Sequence, residues 1–114
     1  MRVTQEEYLE ELRSGARMKF EDLIALIEDD YDYTPAGFSN GEIENSADEN
    51  QGSAKLFCFA AVNQLTQLET LHCFGQYYQE VLDTPESDSH GNIRNFMTYG
   101  WEGLKFDSPV LSRK

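Results

Sequence analysis

The chain has 114 residues, 39% of them hydrophobic, and a formal net charge of −12. That length bounds one domain, able to withdraw roughly two-thirds of its unfolded surface from water. No apolar run approaches the ~20 residues of a membrane span, no secretory leader pattern opens the chain, and no Lys/Arg cluster exists to hold nucleic-acid phosphates or anionic lipid.

The charge is uneven: residues 1–50 carry 14 acids and 4 bases, residues 51–114 carry 7 and 5. Such asymmetry suits solubility or attraction to a basic protein partner. Thr4 followed by Glu7 is a capping-box pattern, so a helix is expected over about 5–13, with Tyr8, Leu9 and Leu12 inward and Ser14–Gly15 ending it. A second helix is expected over about 19–29, with Phe20, Leu23, Ile24 and Ile27 as its apolar stripe. Pro35 pushes Thr34 into an extended conformation, so residues 31–41 read as an extended segment turning at Asn40–Gly41. Residues 42–52 read as a polar acidic loop, with Ser53 as cap of the next helix.

Residues 53–82 carry the core. Leu56, Phe57, Cys58, Phe59, Ala60, Ala61 and Val62 are apolar on all sides, which fits a helix buried nearly all round. Leu68, Leu71, Phe74, Gly75, Tyr78, Val81 and Leu82 fall on one face of a second helix, antiparallel to the first across the Gln64–Gln67 link. Gly75 inside that stripe costs roughly 1 kcal/mol relative to alanine, so a packing reason is expected there, such as a neighbouring helix approaching closely. Cys58 and Cys73 lie on apolar faces without CxxC spacing and read as buried free thiols in a reducing compartment. Residues 84–91 read as a loop. A last helix follows, with Ile93, Phe96, Met97, Gly100, Trp101 and Leu104 in 3–4 spacing, and 104–112 is extended. The expected fold is mainly α: one compact bundle of about five helices, with a minor two-stranded β ribbon from the 31–40 and 103–111 segments.

FSNG (38–41), the Asn45…Asn50-Gln51-Gly52-Ser53 loop, FCFA (57–60), TLHCFGQYY (70–78), NIRNFM (92–97) and GW (100–101) together resemble the HopJ type III effector family over roughly residues 20–110. The pattern departs at Asp48, where glycine is usual, at Ala54, where cysteine is usual, and at Ser89, where aspartate is usual. The last departure removes a carboxylate beside His90. The family is of undefined biochemical activity, and the resemblance implies a bacterial protein, cytoplasmic or host-delivered. Acids at Glu6, Glu7, Glu10 and Glu11 in a capped first helix weigh against delivery, since injected starts tend to be serine-rich and poorly ordered.

Three constellations could carry chemistry. Asn40, Asn45, Asn50, Lys55, His72, His90, Asn92 and Arg94 form a polar set able, if the loops converge, to hold a carboxylate or phosphate. Arg94 would supply a planar fork and His90 a proton carrier near neutral pH. Against this, asparagines commonly cap helices and satisfy turns. Cys73 beside His72 is not a nucleophile–base pair, because adjacent helical residues diverge by about 100°. His72, Cys73 and His90 lack metal-ligand spacing, and Glu86–Asp88–His90 ends on Met97 where a calcium loop needs glutamate. No metal or other cofactor is expected. Tyr77 and Tyr99, off the main stripes, are the better surface aromatics. The leading expectation is a non-enzymatic acidic interaction protein, monomer or weak dimer. The alternative is a small-ligand binder or enzyme using the polar set.

Overall fold

The second core segment does not form one helix. In the computed structural model, which describes residues 4–15 and 18–113, the chain runs α1 (Gln5–Arg13), α2 (Phe20–Asp30), β1 (Tyr31–Tyr33), β2 (Phe38–Asn40), β3 (Ile43–Asn45), α3 (Gln51–Val62), α4 (Gln67–Cys73), α5 (Gln76–Asp83), α6 (Gly91–Tyr99), a 3-10 turn (Gly100–Gly103), β4 (Leu104–Phe106) and β5 (Leu111–Arg113). Among the described residues there are thus six α-helices rather than about five. Gly75 separates α4 from α5 with φ +59° and ψ −123°, a conformation in which a Cβ is strained. The close approach expected at Gly75 is real, but its cause is different. A Cβ there would sit 2.5 Å from the Met18 carbonyl oxygen, so the chain entering α2 crosses directly over the break.

That crossing is fixed by side chains. Gln76 accepts from the Phe20 backbone N–H (3.2 Å) and donates to Glu21 (2.7 Å), while the Tyr77 hydroxyl donates to the other Glu21 oxygen (3.2 Å). The Gln76 amide, first, together with the Tyr77 hydroxyl holds the Glu21 carboxyl below its ordinary range. Both expected capping features work as read at α1, where Thr4 and Glu7 bond reciprocally, and the same device recurs at α4 with Thr66 and Glu69.

α3 is the centre of the core. Leu56, Phe57, Phe59 and Ala60 are fully buried, and Phe57 packs its ring against Phe38, Phe74 and Phe96. Around it α2 buries Leu23, Leu26 and Ile27, so Leu26, absent from the expected stripe, replaces Ile24 and Phe20, which are half-buried. α6 ends at Gly100, φ +62°, with the Gln67 amide donating to the carbonyls of Phe96 and Met97. The helical spacing from Ile93 to Leu104 therefore continues through a 3-10 turn into a strand.

The β structure is larger than a single ribbon. β1 pairs antiparallel with β5, and β2 lies between β3 and β4 in a three-stranded antiparallel sheet, with Phe38 opposite both Asn45 and Phe106. Residues 43–45, expected to be loop, form the second arm of a hairpin turning at Gly41–Glu42. α3 begins two residues before Ser53, and Asn50, in the left-handed region, is its flanking residue. Cys58 and Cys73 are both buried and free. No helix among the described residues is long and apolar enough to cross a membrane.

Candidate functional site

The hairpin delivers its asparagines inward. On β3, side chains alternate, and Asn45 points to the side that Glu44 avoids; Asn40 does the same on β2. Both are buried, as is Asn92 in the first turn of α6. Asn40 donates to the backbone carbonyl of Asn92 (2.7 Å) and to its side-chain oxygen (3.0 Å). Asn92 in turn donates to the Asn45 side-chain oxygen (3.1 Å), which also accepts from Asn50 (2.7 Å). Four residues of the expected polar set therefore come together, bonded to one another. They tie the start of α6 and the start of α3 to the same hairpin.

The consequence is that two helix N-termini face one cleft. The residues flanking α3 and α6, Asn50 (φ 51°, ψ 38°) and His90 (φ 53°, ψ 51°), both occupy the left-handed region, and neither caps its helix with its side chain. For residues other than glycine that conformation is sparsely populated and costs on the order of 1–3 kcal/mol. Because neither end is capped, the backbone N–H groups of Gly52, Ser53, Gly91 and Asn92 make no hydrogen bond among the described residues. Those four residues, with Asn50 and His90, line a cleft of about 520 Å³. Phe20, Phe74 and Tyr77, with Ile43 and Ile93, also line it.

His90 is held at this cleft from outside. Its Nε2 lies 2.6 Å from a Glu80 carboxylate oxygen, and its ring packs 5.4 Å from that of Tyr77. The carboxylate missing from the neighbouring position Ser89 is thus supplied by α5. Nothing in the sequence marks Glu80 as that partner, since the two are joined only by the return of the 84–90 loop. With one nitrogen bonded to Glu80, the imidazole keeps Nδ1 for a ligand.

The rest of the polar set lies elsewhere. Lys55 sits 3.9 Å from Glu28 and 4.4 Å above the Tyr33 ring. Arg94 donates to the carbonyls of Ser89, Pro85 and Thr84 and to the Thr84 hydroxyl, closing the C-terminal end of α5 rather than offering a fork to a ligand. His72 packs 5.8 Å from Tyr78 beside a different groove. Cys73 is fully buried, and burial pushes its thiol up to about 12, against the smaller downward pull of the Tyr8 hydroxyl. A thiol so raised is not a nucleophile at neutral pH. No three His, Cys, Asp or Glu side chains among the described residues gather as metal ligands. Of the aromatics, Tyr77 reaches the cleft, Tyr99 bonds Glu42 (2.9 Å) and Trp101 donates to the Leu65 carbonyl (3.2 Å).

Two comparisons bear on this arrangement. The crystal structure of a protein of unknown function, VPA0580, superposes with a TM-score of 0.96 at 46% identity, over 100% of this chain and 97% of that one. No curated protein matches significantly. The model of the HopJ type III effector protein family matches residues 5–111, from the first capped helix to the last strand. The chain belongs to the HopJ type III effector family.

Proposed function

We propose that this protein recognises a small ligand in the cleft between the N-termini of α3 and α6. The observation that carries the reading is the convergence of four backbone N–H groups, unpartnered among the described residues, with the His90–Glu80 pair and three aromatic rings around one cleft. The N–H groups and the positive ends of two helix dipoles favour an acceptor-rich head, a carboxylate or phosphate. Phe20, Phe74 and Tyr77 favour a flat apolar body behind it. His90, fixed by Glu80, presents its free ring nitrogen to that head. Asn50 and Asn92 set the shape of the cleft, while Lys55, His72 and Arg94 take no part. On this reading the protein works in a reducing cytoplasm, consistent with two unpaired buried cysteines.

The test is a thermal-shift screen of aromatic carboxylates and phosphates against the wild type and Ser53→Phe, whose ring would fill the cleft. A compound at a hundred times its dissociation constant should stabilise the wild type by about 2.7 kcal/mol and the variant not at all. Equal stabilisation of both, or a screen without any hit, removes the proposal.

A second reading, an acidic interaction protein with a basic partner, is supported by the exposure of Glu42, Glu44, Asp48 and Glu49 around the hairpin. Charge-neutralising these four and finding an unchanged set of captured proteins would remove it.

A further inference from the structure

A groove of about 760 Å³ runs between the Met18–Glu21 segment and α5, sharing no lining residue with the cleft. Its apolar surface comes from Met18, Tyr78 and Leu82, and Leu82 remains 46% exposed although the helical spacing places it with the core stripe. Three carboxylates, Glu21, Glu80 and Asp83, also line it, against the single described amine of Lys19. Their hydrogen-bond partners are the amides of Gln76 and Gln79, the Tyr77 hydroxyl and the imidazole of His90. Among the described residues their charge is thus hydrogen-bonded but largely uncompensated, beside apolar surface that no described residue covers.

We propose that this groove docks a partner segment that carries a lysine or arginine flanked by apolar residues. The long aliphatic stem of either base fits along Leu82 and the Tyr78 ring, and its head reaches Asp83 and Glu80. Charge complementarity selects this occupant: an acidic segment, a nucleic acid or an anionic membrane would meet three carboxylates at contact distance, within a chain already at −12. The inference goes beyond ligand recognition in the cleft, and its test needs no cleft ligand.

The test is a titration of the isotope-labelled full chain, followed by its backbone amide resonances, with an amphipathic leucine–lysine peptide. Leucine–glutamate and serine–lysine peptides serve as controls. The expected result is shifts centred on Met18, Tyr78, Leu82 and Asp83, no binding by the leucine–glutamate peptide, and about tenfold weaker binding by the serine–lysine peptide. Asp83→Lys and, independently, Leu82→Ser should each weaken binding of the leucine–lysine peptide by about tenfold or more; both positions are exposed, and the amide spectrum of each variant reports whether its fold is kept. Shifts centred on residues 42–49, equal affinity for the serine–lysine peptide, insensitivity to both substitutions, or no binding would each overturn it.

Discussion

Gly75→Ala separates a glycine placed for its conformation from one merely tolerated within a helix. Were α4 and α5 one continuous helix, alanine would raise stability by about 1 kcal/mol. At φ +59° and ψ −123° the sign reverses. The backbone strain of an L-residue there is on the order of 1–3 kcal/mol. The new Cβ would also lie 2.5 Å from the Met18 carbonyl oxygen and 3.0 Å from both the Lys19 Cα and the Phe20 nitrogen. These are backbone atoms that cannot swing aside. Relieving them moves the entry to α2, stretching the 3.2 Å bond from Phe20 to Gln76 and opening the Phe20–Phe74 stack. The lower entropy of the unfolded alanine chain returns only about 0.4–1 kcal/mol. A net loss of about 2 kcal/mol or more is expected, which in a urea titration lowers the midpoint by about 1 M at unchanged slope. A midpoint that stays or rises would refute the break at Gly75 and the crossing that depends on it.

Asn92→Ala removes both the acceptor for Asn40 and Asn45 and the donor to Asn45. Asn40 keeps the Asn92 backbone carbonyl and Asn45 keeps Asn50 and the Phe38 carbonyl, so neither loses all its bonds, and unfolding free energy should fall by about 1–2 kcal/mol, measured by urea titration. Thr66→Ala deletes one half of the α4 capping box and should cost about 1 kcal/mol in the same assay. Cys73 keeps its proton in the folded chain to about 12, against an ordinary value of 9.0. The folded state therefore binds more protons than the unfolded one between those values. That contribution to stability is present below about 9 and is lost as pH rises towards about 12. In Cys73→Ala the decline over that window should be shallower. The native thiol should also resist an aromatic disulfide reagent at pH 8 until denaturant is added.

What the sequence revealed was set by local chemistry. Thr4 and Glu7 are three residues apart, so their reciprocal bonds need nothing from the rest of the fold. The all-round apolarity of 56–60 likewise identifies the central helix, whereas Ala61 and Val62, expected to be buried with it, are exposed. The break at Gly75 was hidden because apolar spacing runs unchanged across the two residues, Phe74 and Gly75, that separate α4 from α5. Leu68 and Leu82, placed inward by that spacing, are 56% and 46% exposed. The β2–β3 hairpin was hidden by Glu42, Glu44 and Asp48, whose charges mark solvent exposure and not the absence of a strand. Asparagine content pointed to a polar cluster, but which asparagines meet depends on strand register, with Asn40 opposite Ile43 and Phe38 opposite Asn45. Lys55 and Arg94 were grouped with them by residue type alone, and each is taken by a neighbour the sequence does not name.

Ligand recognition by the two helix starts is tested most directly by following the backbone amides of the labelled chain during titration with phenyl phosphate, which joins an acceptor head to a flat apolar ring. Saturable shifts confined to Gly52, Ser53, Gly91, Asn92 and the aromatic residues lining the cleft, accompanied by a change at the His90 ring that Glu80→Gln alters, are the predicted result. Shifts scattered over the surface, or an unperturbed spectrum at millimolar phenyl phosphate, would contradict it.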